Sequence, residues 1–197
     1  MKSLRIAAIA SLALAPAAFA AVPAHAAAEA TVSILHAVPG ATVDVYANGK
    51  ALLTNFKPGT LTDPLMLPEG TYDLKVTAAG AGAGGAAVIE AKGVQVPGGA
   101  NVTVVAHLSE AGKPVLTPFV NDTSQVPAGK ARVTVRHTAA APAVDVLAGG
   151  QPVFKNLVNG KQAQADLAPG TVAAAVALAG TTTPVLGPTN VTPAAGK

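Results

Sequence analysis

Short stretches of alternating apolar and polar residues, separated by turn-forming residues, run along the chain from about residue 30. Alternation with a period of two is typical of β-strands with one buried face. Between residues 30 and 121 the pattern predicts strands at 31–37, 42–47, 50–54, 62–67, 71–78, 86–96, 101–108 and 114–120. Asn48-Gly49 predicts a type I′ hairpin between two of these strands, and Pro68-Glu69-Gly70 predicts another tight turn.

The pattern occurs a second time, 101 positions further along the chain. Residues 31–60 align without a gap with residues 132–161, and the identical pairs include His36 with His137 and Asp44 with Asp145. The repeat predicts a first domain at 30–121, a linker at 122–130 and a second domain at 131–197. The second domain ends before the counterparts of the last two strands, which favours a truncated sequence over a domain with an exposed sheet edge, because proteins usually avoid such edges.

These features predict an all-β fold, and each repeat has the size of a small β-sandwich. We expect tandem antiparallel β-sandwich domains of the immunoglobulin-like or the transthyretin-like type, with the strand order left open. The 16 prolines and 20 glycines favour short strands and many turns over long helices.

The first 26 residues have the layout of a cleavable signal peptide. Lys2 and Arg5 form a short positive region, an uncharged apolar run follows to about residue 18, and small-x-small sites end at Ala20 and Ala26. Cleavage after Ala26 is favoured, with Ala20 as the alternative. The apolar run is short for a membrane span, which requires about 20 residues. The segment therefore predicts a secreted, extracellular or cell-wall-associated protein.

Composition excludes several classes of function. The chain has no cysteine, so disulfides, thiolate nucleophiles and cysteine zinc sites are absent. Removing Lys2 and Arg5 from the 13 basic residues leaves 11 against 10 acidic ones, and no basic cluster remains. Nucleic-acid binding therefore lacks its usual electrostatic signature.

The recurring histidines and aspartates are the candidate site residues. Strand alternation places His36 and His137 on the core-facing side, where an imidazole either anchors the following loop by a hydrogen bond or holds a ligand. It places Asp44 and Asp145 on the opposite face, where a carboxylate either accepts backbone N–H bonds from a nearby loop or faces a partner. Opposite faces argue against a His–Asp catalytic pair.

The remaining polar residues form no recognisable catalytic or metal-binding motif. No serine lies in a G-x-S-x-G turn, and neither H-E-x-x-H nor a calcium-loop pattern is present. We therefore expect no enzymatic activity, no cofactor and no metal.

Three segments are similar to one family pattern. They are VSILHAVPGATVDVYANG at 32–49, LPEGTYDLKV at 67–76 and VTVRHTAAAPAVDV at 133–146. These segments resemble the DUF4397 family over about 31–120 and again over 132–197. The resemblance implies an exported bacterial β-sandwich protein of undetermined activity. The second copy departs from the pattern, because Leu147 and Val172 replace the two tyrosines.

The resulting hypothesis is a secreted, non-catalytic binding or adhesive module for a cell-surface polymer or protein. Its candidate binding residues are His36, Asp44, Tyr46, His137 and Asp145, together with the loops at 37–42 and 138–143, because loops at sandwich ends commonly carry binding. Two alternatives stay open, namely a structural spacer without a specific ligand and an unrecognised extracellular hydrolase.

Overall fold

A computed structural model describes residues 27–196, and the predicted signal peptide lies outside this range. The described residues form an all-β structure, in which no helix is long and apolar enough to cross a membrane. The strands are β1 (Glu29–His36), β2 (Val43–Ala47), β3 (Lys50–Phe56), β4 (Leu65–Pro68), β5 (Gly70–Ala78), β6 (Ala87–Val96), β7 (Asn101–Leu108), β8 (Pro114–Val120), β9 (Ala131–His137), β10 (Val144–Ala148), β11 (Gln151–Leu157), β12 (Lys161–Leu167), β13 (Val172–Leu178) and β14 (Pro184–Val191).

Each of the eight strands predicted between residues 30 and 121 has a counterpart. The largest difference concerns the strand predicted at 62–67, since β4 begins only at Leu65 and Leu61 forms an isolated bridge with Leu35. Pro64 lies just before β4 and has no backbone N–H to donate, which interrupts the ladder. The type I′ prediction is confirmed by the positive φ angles of Asn48 (50°) and Gly49 (76°).

Residues 27–121, which we call the first half, form two facing sheets of four strands. One sheet has the order β4-β1-β7-β8 and the other has the order β3-β2-β5-β6. Their pairings are antiparallel except for β1 and β7, which run parallel with Thr31 opposite Asn101 and His36 opposite Ala106. The parallel pair differs from the fully antiparallel sheets expected from sequence. It arises because the chain builds the entire second sheet between β1 and β7, and parallel strands require such a long crossover.

The side chains between these two sheets form a closed apolar core. Val32 and Ile34 from β1, Val104 from β7 and Val45 and Val76 from the facing sheet belong to one buried cluster. The space left among these side chains is a cavity of about 60 Å³, which Val104, Ala106 and Leu116 of β7 and β8 help to line.

Residues 131–196, which we call the second half, form a two-stranded sheet β12-β9 and a four-stranded sheet β11-β10-β13-β14. These sheets match β4-β1 and β3-β2-β5-β6 of the first half in order and direction. Within residues 131–196 no strand takes the position of β7 or β8, so β9 pairs with β12 alone.

The two halves contact each other through β8, the segment after it and the polar face of β9. Arg136 places its guanidinium 5.1 Å from the centre of the Phe119 ring and donates to Asn121. Arg132 binds both carboxylate oxygens of Asp166 and lies 3.1 Å from Asp122. These contacts hold the outer face of β9 against the first half. The opposite face of β9 is left to face the sheet β11-β10-β13-β14.

Candidate functional site

The two recurring histidines make the same contact in both halves. His36 ends β1, is only 2% exposed, and its Nε2 lies 2.8 Å from the carbonyl oxygen of Ala41. His137 ends β9, is 6% exposed, and its Nε2 lies 2.9 Å from the carbonyl oxygen of Pro142. An imidazole N–H that donates to a backbone carbonyl five residues ahead fixes the loop between the two strands.

The second ring nitrogen of His36 has no hydrogen-bond partner among the described residues. The ring is tilted by 36° against Phe56, with 5.5 Å between the ring centres. Because a carbonyl oxygen can only accept, Nε2 carries the proton of the hydrogen bond to Ala41. His36 therefore orders its loop and packs as part of the core.

Asp44 binds backbone from two other segments. Its Oδ1 accepts the Asn55 N–H at 2.8 Å, and its Oδ2 accepts the Gly80 N–H at 2.8 Å. Asn55 has a φ of 53° and lies at a register shift between β2 and β3, so the carboxylate holds a β-bulge in place. Strand alternation correctly separates Asp44 from His36, but the side chain is only 4% exposed and does not face solvent.

Asp145 repeats this arrangement in the second half. Its two oxygens accept the Asn156 N–H at 2.7 Å and the Gly180 N–H at 3.0 Å, and the side chain is 5% exposed. Asn156 again has a φ of 53° at a register shift, here between β10 and β11. The sequence predicts that this carboxylate binds the loop before its own strand. It instead binds a bulge in β11 and the turn after β13.

These hydrogen bonds stabilise the charged form of each carboxylate. The Asn55 N–H and then the Gly80 N–H lower the pKa of Asp44, although burial opposes the shift. The Asn156 N–H and the Gly180 N–H lower the pKa of Asp145 in the same way. A carboxylate held ionised by two backbone donors is a poor general acid or base near neutral pH.

The tyrosines also have structural contacts. Tyr46 is only 7% exposed. The hydroxyl of Tyr72 donates to the carbonyl oxygen of Pro68 at 2.7 Å, so it fixes the turn before β5. Binding by these side chains remains a prediction. Residues 27–196 contain no cluster of three or more His, Cys, Asp or Glu side chains that could hold a metal.

The second half carries an open apolar groove, which is bordered by His137 and by part of the candidate loop at 138–143. The groove has a volume of about 260 Å³ and lies between β9 and the sheet β11-β10-β13-β14. Its apolar walls include Val135, Val144, Val146, Leu157, Val176, Val185 and Leu186. In the first half the corresponding space is the 60 Å³ cavity that β7 and β8 help to enclose.

Side-chain exposure shows how far the groove is open. In the first half Ile89 lies opposite Val76 across the β5–β6 ladder and is 7% exposed. In the second half Leu186 lies opposite Val176 across the β13–β14 ladder and is 68% exposed. Val185 beside it is 62% exposed. Neighbouring large apolar side chains with this exposure are typical of an interaction surface.

Comparison with protein families assigns the chain to a family. A model described as a domain of unknown function, DUF4397, matches residues 30–147, which is more than half of the sequence. The chain belongs to the DUF4397 family. Comparison with curated proteins finds no match.

The DUF4397 match begins in β1 and runs past the predicted linker to Leu147 in β10. It therefore contains both aspartates and both histidines singled out from the sequence. The sequence predicts no role for the four residues that bind the aspartates, which are Asn55, Gly80, Asn156 and Gly180. Their identity at repeat-equivalent positions was the available signal, because all four donate a backbone N–H from a positive φ angle, which asparagine and glycine tolerate best.

Proposed function

We propose that this DUF4397 protein is exported and acts as a non-catalytic module that binds a cell-surface polymer or protein. The observation that supports binding is the open groove, with Leu186 and Val185 exposed at its rim. Water contact with such side chains is unfavourable by about 25 cal/mol per Å² of apolar surface, so a ligand that covers them gains free energy.

We further propose that residues 131–196 form a second, incomplete copy of the first domain. The paired hydrogen bonds of Asp44 and Asp145, and of His36 and His137, support this relation. On this basis the two halves have different tasks. The first half is a closed sandwich, and the second half offers the binding surface.

The non-catalytic part of the proposal follows from the state of the candidate residues. Each aspartate already binds two backbone N–H groups, and each histidine already contacts a loop carbonyl. A catalytic site requires a nucleophile, a base and an orienting group that converge on a space for substrate. The two aspartates and the two histidines instead bind backbone groups.

The test is retention of the full chain on isolated cell-wall and secreted-polymer fractions. The variant Leu186→Ser removes the most exposed apolar side chain of the groove rim. Leu61→Ser is the matched control, because Leu61 is 57% exposed in the first half. We expect retention of the wild type and the control and loss of retention for Leu186→Ser.

Circular dichroism shows whether both variants remain folded. Absence of wild-type retention on any fraction contradicts the binding proposal and favours a spacer without a specific ligand. Equal retention of all three proteins contradicts the placement of the binding surface in the groove.

A further inference from the structure

The open groove ends at a strand edge that has a filled counterpart in the first half. There, β7 pairs in parallel with β1 over the whole register from Thr31–Asn101 to His36–Ala106. The equivalent edge of β9 has no strand paired to it among the described residues. An unpaired edge beside an apolar groove is a ready template for an added strand.

We propose that the second half binds an extended segment of a different protein, which adds to the free edge of β9 as a parallel strand and inserts alternate side chains into the groove. This inference rests on the proposed function and names the chemistry of its ligand. The segment carries small or β-branched apolar residues at every second position and no charge among them. Strand β7 itself shows this chemistry, with Val102, Val104 and Ala106 in the first core.

The direction in which each backbone N–H group of β9 points determines whether the added strand can accept a hydrogen bond from it. In the first half, Thr31 and Ala37 donate their N–H groups to the β7 side, whereas His36 donates to Thr60 on the β4 side. Adding the repeat offset of 101 places the free N–H groups of β9 at Arg132, Thr134 and Arg136. The N–H groups of Val133, Val135 and His137 point toward β12.

The side chains around the free edge of β9 also leave room for an added strand. The Arg132 and Arg136 side chains lie on the sheet face that contacts the first half and are engaged there by Asp166, Asp122 and Asn121. The Val135 side chain points into the groove. Arg136 and His137 also border the groove, but Arg136 is held by Asn121 and His137 by the Pro142 carbonyl, and most of the other lining side chains are apolar. An apolar strand is therefore favoured over an acidic one.

The experiment uses the full chain and a 22-residue probe peptide with the sequence of residues 100–121, which contain β7, β8 and the Ala100 carbonyl that accepts the Thr31 N–H in the first half. The matched control is the same peptide with Val104→Pro, because proline lacks the N–H and interrupts a central strand. Binding is measured by fluorescence anisotropy of the labelled peptide. Amide hydrogen exchange of the protein is followed by NMR.

We expect saturable binding of the probe and at least about tenfold slower exchange at the Arg132, Thr134 and Arg136 amides, since hydrogen-bonded strand amides exchange only through opening. The β12-facing amides of Val133 and Val135 change much less. The Val104→Pro peptide does not bind. The protein variant Leu186→Asp binds the probe at least about tenfold more weakly, because a carboxylate at the rim resists desolvation, whereas Leu61→Asp binds it like the wild type.

Several results overturn the inference. Absence of binding does so, as does binding without the alternating protection along β9. Faster exchange of the protein's own β7 and β8 amides on binding shows instead that the peptide has displaced these strands from the first half. Dimerisation of the protein alone by sedimentation, with the same β9 amides protected, shows that a second copy is the occupant.

The two proposals fail separately. Retention on surface fractions that depends on Leu186, together with no uptake of the probe peptide, leaves the binding function and removes strand addition. Uptake of the probe with no retention on any fraction leaves strand addition and removes the cell-surface ligand.

Discussion

The two halves of the molecule share their local contacts and differ in how their cores are closed. In the first half Val32 is 2% exposed, and in the second half its counterpart Val133 is only partly buried. Ile89 and Leu186 occupy equivalent ladder positions at 7% and 68% exposure. The difference shows that burial depends on the covering strands β7 and β8, which are distant in sequence, more than on the buried residue itself.

The polar contacts behave in the opposite way. Asp44 and Asp145 bind their bulge and turn donors at nearly equal distances in the closed and the open half. These contacts involve only β2, β3 and the turn after β5, or their counterparts, and both halves contain those elements. Local polar contacts are therefore independent of whether the sandwich is closed.

The largest expected effect tests the difference in core closure. Val32→Ala removes two methyl groups from a closed core and is expected to lower the free energy of unfolding by about 2 kcal/mol. Val133→Ala is expected to cost less than about 1 kcal/mol, because its side chain is only partly buried. Urea unfolding measures both losses. Tyrosine fluorescence reports the first half, since Tyr46 and Tyr72 are the only tyrosines, and hydrogen exchange reports the second half. Equal losses would contradict the difference between the halves.

The next effect tests the similarity of the aspartate contacts. The pKa of Asp44 and of Asp145 is lowered in the folded protein, so each contributes stability above its unfolded pKa and loses it as the pH falls through the folded value. Asp44→Asn and Asp145→Asn are expected to be less stable than wild type at neutral pH, with the difference shrinking on acidification. Thermal unfolding as a function of pH measures it. A difference that stays constant with pH would show that the charge does not matter.

A smaller effect concerns the contact between the halves. Hydrogen bonds from Ser124, then from Gln164, and the charge of Arg132 lower the pKa of Asp122 from 3.8 to about 2. Its stabilisation is therefore present above pH 3.8 and is lost as the pH falls toward about 2. Asp122→Asn is expected to speed amide exchange in β9 slightly near neutral pH, because the side chain is 42% exposed. An exchange rate in β9 that is unchanged at every pH would remove Asp122 from the contact.

The smallest effect concerns the bulge asparagines. Asn55→Gly and Asn156→Gly keep the backbone N–H that binds the aspartate, and glycine adopts a φ near 53° without strain. We expect the free energy of unfolding to change by less than about 1 kcal/mol in both variants. The matched Asn→Ala variants are expected to be less stable, because alanine resists this φ. Denaturant unfolding compares the four proteins, and a large loss in the glycine variants would assign a role to the side-chain amide.

Much of the strand pattern was predictable, and the site only partly so. Alternation placed the strands of the first half, and Asn48-Gly49 placed a hairpin, because these depend on neighbouring residues. Alternation also separated His36 from Asp44 correctly. It did not show that Asp44 is buried, because the donors that cover it come from residues 55 and 80 on other segments.

The amino-acid sequence by itself determined where the strands of the first half lie to within a few residues, which side chains recur, and that a second set of strands follows the first. These properties follow from local backbone preference and side-chain alternation. Only the tertiary structure decided that β7 runs parallel to β1, that the aspartates bind bulge amides, and that a groove stays open beside β9. The physical reason is that strand order and burial depend on contacts between residues far apart in sequence, whose free energy no local pattern contains.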